Sequence, residues 1–156
     1  MVLARVTKGF IALRCALDNL LVYTVYVILP GVNVNDLADG LKNDLTHGES
    51  QGQSLRLVRQ FVMDLERSDN PEGLFAETPV STSDLRWDAL IAGVVEDFAF
   101  EHGLAVPAWT LRSSRFLDRW WFVTSVPALY PTAMLETPAA LANRGVFIQR
   151  ATLVNV

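Results

Sequence analysis

This sequence contains almost no cysteine and lacks an excess of positive charge. Cys15 is the only cysteine among 156 residues, so no disulfide can form within the chain, and we expect a reducing, cytoplasmic location. The 13 Lys and Arg are outnumbered by 17 Asp and Glu, which gives a net charge of -4 at pH 7. General nucleic-acid binders usually carry a basic excess, so we expect no direct binding to DNA or RNA.

The sequence also has no hydrophobic run long enough to cross a membrane. The longest apolar run, Leu20 to Leu29, is about half of the ~20 residues that a transmembrane helix needs. Asp18 interrupts what would otherwise resemble a secretory signal, and no Ala-x-Ala cleavage site follows it. We therefore predict no membrane partner.

Residues 1–31 form a hydrophobic extension ahead of a helical domain that we predict over residues 32–156. The stretch from Val22 to Ile28 has strand propensity, but no second β-rich run follows with which it could pair. Two explanations stay open. Either the extension is a loose appendage, or translation starts at Val32 or Val34 and residues 1–31 do not belong to the protein.

Motifs that carry chemistry are missing as well. His47 and His102 have no cysteine or carboxylate at zinc-ligand spacing, and neither a Gly-rich phosphate loop nor a nucleophile elbow is present. Asp97 and Glu101 stand at i, i+4, which on a long helix is typical of a solvated face. We therefore predict a protein that is not an enzyme, with no catalytic residues, metal site or cofactor.

The sequence does contain residues that typically start and end helices. Apolar residues make up 51% and charged residues 19%, a composition suited to one folded domain. We predict a first helix capped by Asn35, a polar loop over residues 46–53, and a second helix capped by Ser54. Ser83 is predicted to cap a central helix over residues 84–102, which Gly103 terminates and which Gly93 allows a neighbour to approach closely.

The second half is divided by prolines into short pieces. Thr137 is predicted to cap a miniature helix with Pro138 at its first position and Gly145 as its terminator, and the "VFI" that follows is predicted to be extended. The predicted fold class is mainly α: a single compact helical domain with a Pro-punctuated C-terminal half and at most minor strand content.

The stretch "RFLDRWWF", residues 115–122, contains adjacent tryptophans, whose rings cannot point the same way on a helix or a strand. We expect Trp109, Phe116 and one ring of the pair to pack on the central helix, and the other ring to be exposed. Aromatic rings mixed with arginines have the composition of an interface hot spot. The predicted partner-binding residues are therefore Arg115, Arg119, Trp120 and Trp121.

The order of three stretches, "ALIAGVVEDFAFEHGLAVPAWT", "RFLDRWWF" and "ETPAALANRGVFI", resembles a group of small actinobacterial proteins. Those proteins are associated with toxin–antitoxin loci in which the neighbouring gene encodes a nucleotidyltransferase-like toxin. The resemblance covers roughly residues 84–156. It implies an antitoxin-like protein that binds and neutralises a cognate toxin and has no enzymatic activity of its own.

Some members of that group carry a helix-turn-helix segment ahead of the region of resemblance. Here the predicted loop over residues 46–53 is about twice as long as a helix-turn-helix turn, which argues against autoregulation by DNA binding. The alternative hypothesis is a stand-alone ligand-binding or transcription-regulatory module, and an enzyme of another class ranks third.

Overall fold

The computed structural model describes residues 31–153, and the prediction of a hydrophobic N-terminal extension therefore falls on residues outside it, apart from Gly31. The predicted fold class, mainly α with minor strand content, is confirmed. The helices in the described range are α1 (Val34–His47), α2 (Gln51–Arg67), α3 (Pro71–Phe75), α4 (Leu85–Glu101), α5 (Tyr130–Glu136), α6 (Ala139–Ala142) and α7 (Arg150–Leu153). The strands are β1 (Trp121–Phe122) and β2 (Val146–Phe147).

Helices α1 and α2 both begin earlier than predicted. The N-cap of α1 is Asn33, whose side chain accepts from the Asp36 N–H while the Asp36 carboxylate accepts from the Asn33 N–H, a reciprocal capping box. The N-cap of α2 is Ser50, whose hydroxyl accepts from the Gln53 N–H. The predicted caps, Asn35 and Ser54, lie inside the helices because these earlier side chains can also bond to the first turn.

The connection between α1 and α2 is consequently only Gly48 to Ser50. Gly48 has φ +70°, a left-handed conformation in which glycine ends a helix without strain. The predicted eight-residue loop over residues 46–53 is therefore wrong, and so is the argument from loop length against a helix-turn-helix, since a three-residue turn is the usual length.

Helix α4 is the central element, as predicted. Its cap is Asp84 rather than Ser83, because the Asp84 carboxylate accepts from the Arg86 N–H at 2.9 Å. Hydrogen bonds from the Arg86 guanidinium hold the pKa of Asp84 below its usual value. Ser83 has φ +72° and is the loop residue directly before the cap, not the cap itself. Nine consecutive residues, Trp87 to Val95, are buried, so α4 is surrounded by the rest of the described fold.

The core forms where α1 and α2 pack on each other and α1 packs on α4. Each helix contributes an apolar stripe at helical spacing, and burial of such stripes supplies most of the stability of a domain of this size. The fully buried members from the first two helices are Val34, Leu37, Ala38, Leu41, Val58, Phe61 and Leu65.

The C-terminal half covers the other side of α4 with short pieces. Gly103 and Gly145 have φ +64° and +76°, which confirms their predicted roles as terminators. The predicted extended "VFI" is β2 and Ile148. Thr137 is not the cap of α6: it ends α5, and its hydroxyl bonds to the Ile148 backbone instead.

Gly93 allows α6 to approach α4 closely, as its position in the middle of the helix predicts. A Cβ atom at Gly93 would overlap the side chain of Leu141 and lie 3.3 Å from its Cα. The contact involves backbone as well as side chain, so it cannot be relieved by a rotamer change alone.

We expect Gly93→Ala to lower the free energy of unfolding by about 1–3 kcal/mol, because α6 must move away from α4. Gly52→Ala is the matched control, since a Cβ there meets only the Ser50 hydroxyl at 3.9 Å. That change should be neutral or stabilise by up to about 1 kcal/mol through helix propensity. Urea denaturation of both variants measures the difference, and equal stabilities would show that α6 does not depend on this contact.

Candidate protein-interaction site

The two short strands give the C-terminal half one face toward the core and one face away from it. β1 pairs with β2 in parallel, with Trp121 opposite Val146 and Phe122 opposite Phe147. Side chains alternate along a strand, so Trp121 and Val123 share one side of the pair. The Trp121 ring contacts the Trp87 ring of α4 edge to face at 5.4 Å between centroids, and Val123 is buried.

The opposite side of the strand pair is a row of aromatic rings. Phe147 lies between Trp120, at 5.2 Å, and Phe122, at 5.0 Å between centroids. Phe122 also stacks on Tyr130 of α5 at 4.0 Å. We call this row, Trp120, Phe147, Phe122 and Tyr130, the aromatic face. Its end ring, Trp120, is 66% exposed, whereas Phe147 in the middle is buried.

The prediction that one tryptophan of the pair packs on the central helix and the other is exposed is therefore confirmed. Trp121 packs on the central helix, where the Arg86 guanidinium also lies over its ring at 5.6 Å. Trp120 points to the other side of the strand and is exposed. Of the other two rings expected in the core, Trp109 is buried and donates its indole N–H to the Phe75 carbonyl, whereas Phe116 is 38% exposed.

The two predicted arginines have different environments. Arg119 is exposed, directly before Trp120, and none of the carboxylates in the described range lies within ion-pair distance of it. Arg115 is only 6% exposed. Its guanidinium donates to the Pro79 carbonyl at 3.1 Å and lies 3.4 Å from the Asp88 carboxylate. The prediction that Arg115 lines a partner surface is therefore wrong.

Arg115 is buried because α4 supplies a carboxylate for it. Asp88 is itself buried and accepts from the Ser81 hydroxyl at 2.7 Å and from the N–H and the hydroxyl of Thr82, each at 2.9 Å. Burial lowers the pKa of Arg115, and the nearby Asp88 charge opposes that effect. Asp88 thus holds both the loop before α4, through hydrogen bonds, and the turn at Arg115, through the ion pair, against the same helix.

We expect Arg115→Ala to lower the free energy of unfolding by about 3–5 kcal/mol, because it leaves the Asp88 carboxylate buried without its counter-charge. Arg119→Ala, four residues along the chain, should change stability by no more than about 0.5 kcal/mol. Chemical denaturation at pH 7 compares the two. A stable Arg115→Ala protein would mean that water or another cation reaches Asp88.

A second buried arginine, Arg144, was not anticipated from the sequence. It is 1% exposed, donates to the Ala140 and Thr110 carbonyls at 2.8 and 2.9 Å, and forms an ion pair with Glu96 of α4. The ring of Phe116 lies 4.7 Å from its guanidinium carbon. The contact explains why Phe116 does not enter the core: it covers Arg144 from outside.

Asp97 and Glu101 of α4 line a small cleft of about 60 Å³ together with Glu66 and Arg150. Burial raises the pKa of Asp97, and the neighbouring Glu101 charge adds to that effect. Glu101 accepts from the Arg150 guanidinium at 2.7 Å. A cleft of this size is smaller than the ~300 Å³ at which ligand pockets begin, and the Glu101–Arg150 pair connects α4 to α7 across it.

We expect Asp97→Asn to stabilise the protein at pH 7. A carboxyl group whose pKa is raised by folding favours the folded state only while it is protonated, and that contribution is lost as the pH rises through the folded pKa. The advantage of the asparagine variant should therefore grow between about pH 3 and pH 7. Thermal unfolding across this range measures it, with Asp39→Asn on the exposed side of α1 as the control for losing one negative charge. A pH-independent difference between the two variants would contradict the assignment.

A larger open cavity, of about 290 Å³, lies where the carboxyl ends of β1 and β2 meet the first turn of α2. Its walls carry hydroxyl and amide groups and no charged side chain. The lining residues are Gln51, Gly52, Leu55, Val123, Thr124, Ser125, Ile148, Gln149 and Thr152. The amide of Gln51 donates to the Val123 carbonyl, which closes the strand pairing at this end.

Charge is divided unevenly between the two halves of the described chain. Residues 31–106 contain fourteen Asp and Glu against five Lys and Arg, whereas residues 107–153 contain two against five. The acidic excess therefore lies on the α1–α3 side, and the aromatic face belongs to the half with the basic excess. The exposed acids of the first part are Asp36, Asp39, Glu49, Glu66, Asp69, Glu72, Glu77 and Glu101.

Between residues 31 and 153 no helix is long and apolar enough to cross a bilayer, and no three His, Cys, Asp or Glu side chains converge as a metal site would require. No protein-family profile, curated protein sequence or solved structure matches the chain.

Proposed function

We propose that this chain is a non-enzymatic, antitoxin-like protein that binds and neutralises a nucleotidyltransferase-like toxin through its aromatic face. The observation that carries the proposal is Trp120: its ring is 66% exposed, yet it is held in a defined position against Phe147. Such a ring offers a large apolar surface and needs little ordering when a partner covers it.

The surroundings of Trp120 fit the anatomy of a binding hot spot. Tryptophan, tyrosine and arginine are the residues most enriched in such sites, and Tyr130 and Arg119 accompany Trp120 here. Met134, four residues after Tyr130 on α5, is 46% exposed and extends the apolar surface along the same side of that helix. Buried Phe147 makes the row rigid, which reduces the entropy lost on binding.

The charge distribution supports a partner with a basic cleft. A toxin that handles tRNA or nucleotides is expected to present such a cleft, and the acidic α1–α3 side would attract it at long range. In this arrangement the acidic side increases the association rate, and the aromatic face supplies the short-range contacts that slow dissociation.

The two tryptophans provide a matched pair for testing the proposal. Trp120→Ala should leave the free energy of unfolding within about 1 kcal/mol of the native value and weaken toxin binding by about 2 kcal/mol, roughly 30-fold. Trp121→Ala should cost about 3 kcal/mol of stability, because it empties the contact with Trp87. Calorimetric titration of the purified toxin and rescue of growth on co-expression measure binding and neutralisation.

The control for charge is Arg119→Ala, which should weaken binding less than Trp120→Ala because rim contacts contribute little. A folded Trp120→Ala protein that still binds and neutralises the toxin with native affinity would show that the aromatic face is not the interface. Failure of the native chain to bind the product of any adjacent toxin gene would overturn the antitoxin proposal itself.

The second candidate is a ligand-binding or transcription-regulatory module. Two observations favour it: the polar cavity of about 290 Å³, and the three-residue connection between α1 and α2. The exposed Gln53, Arg56 and Gln60 on α2 are residue types that contact bases or phosphates. A gel-shift titration with the DNA upstream of the gene, repeated at several salt concentrations, tests this candidate, since specific binding must fall with salt and be lost in Arg56→Ala.

A further inference from the structure

The strand β1 has one edge paired and one edge open. The Trp121 N–H donates to the Gly145 carbonyl at 2.7 Å and the Val123 N–H donates to the Phe147 carbonyl at 2.9 Å. Successive residues of a strand direct their backbone groups to opposite edges, so the N–H and C=O of Phe122 point away from β2. Among residues 31–153, none hydrogen-bonds to either group.

The outer edge beside β2, by contrast, is partly occupied by a side chain. The Thr137 hydroxyl accepts from the Ile148 N–H at 2.8 Å and donates to the Ala133 carbonyl at 2.5 Å. One backbone donor that a further strand would use on that side is therefore already bonded. Beside Phe122 no such side-chain hydrogen bond stands in the way of a further strand within residues 31–153.

The open edge borders the aromatic face. A strand added beside β1 would place alternate side chains on the side of the sheet where Trp120 and Phe122 project, where cross-strand aromatic–aliphatic pairs are favourable. It would also run past Arg119, an exposed cation that no carboxylate in the described part of the chain pairs with. Backbone pairing, apolar packing and one unpaired positive charge therefore coincide at a single edge.

We propose that the partner docks by strand addition: an extended segment with alternating apolar side chains and at least one carboxylate pairs with the outer edge of β1. The carboxylate pairs with Arg119, and the apolar side chains cover Trp120 and Phe122. This inference rests on the proposed function in so far as the aromatic face binds a protein, but it does not require that the protein is a toxin.

The first experiment uses the full chain and an acetylated, amidated octapeptide in which valine alternates with threonine and glutamate. We expect the peptide to shift the fluorescence of Trp120, and this shift to be lost in Trp120→Phe. Methylation of alternate peptide nitrogens, which blocks pairing without changing the side chains, should weaken binding about tenfold. Exchanging glutamate for lysine should weaken it as well, and that effect should disappear in Arg119→Gln.

Amide exchange followed by NMR locates the contact. In the free protein the Phe122 amide should exchange faster than the Trp121 and Val123 amides, which are bonded to β2. Addition of the peptide should protect it. Phe122→Pro compared with Phe122→Ala gives a matched pair, because both lose the ring and only the proline variant also loses the N–H that the peptide would use.

Three results would overturn the proposal. Absence of peptide binding is the first, and equal binding of the native and N-methylated peptides is the second. The third is a Phe122 amide that is already protected from exchange in the free full chain and loses this protection in Val25→Pro. That result would mean that the chain's own apolar run at residues 20–29 occupies the edge. None of these measurements involves the toxin, so they stand apart from the test of neutralisation.

Discussion

The C-terminal half depends on two ion pairs between buried arginines and carboxylates of α4. Arg115 meets Asp88 near the beginning of that helix, and Arg144 meets Glu96 two turns further on. A burial penalty of several kcal/mol per charge makes such pairs weak as a source of stability, but a single missing partner is strongly unfavourable. The short turns and strands between residues 107 and 148 therefore have one arrangement in which both guanidinium groups are paired, and that arrangement positions the aromatic face.

Several elements could be predicted from sequence because their signals are local. The central helix, the terminators Gly103 and Gly145, and the close approach at Gly93 follow from apolar spacing and from the conformational freedom of glycine. The predicted first residues of α1, α2 and α4 are less accurate, because Asn33, Ser50 and Asp84 compete with nearby residues that cap equally well in isolation. The choice is made by which side chain bonds to the first turn.

The rest depended on contacts between distant residues. Strands of two residues have no periodicity to detect, so although "VFI" is predicted to be extended, β1 and its pairing with β2 are recognisable only once Gly145 turns the chain back beside Trp121. Arginine is usually exposed, so Arg115 and Arg144 read as surface residues until Asp88 and Glu96 are placed opposite them. The division of the tryptophan pair could be foreseen from alternation alone, but not which ring packs against α4. Trp87 of α4 decides that.

The parallel pairing of Trp121 with Val146 has a consequence for the order of folding. A parallel pair needs a crossover, here the whole stretch containing α5 and α6, and the loop entropy must be lost before the two strands gain their hydrogen bonds. Contacts of that kind are expected to form late, after the local helices and the α1–α2 packing. In a nascent chain α1 would thus pack on α2 before Trp120 has a fixed neighbour, and the aromatic face would be completed only when β2 has paired with β1.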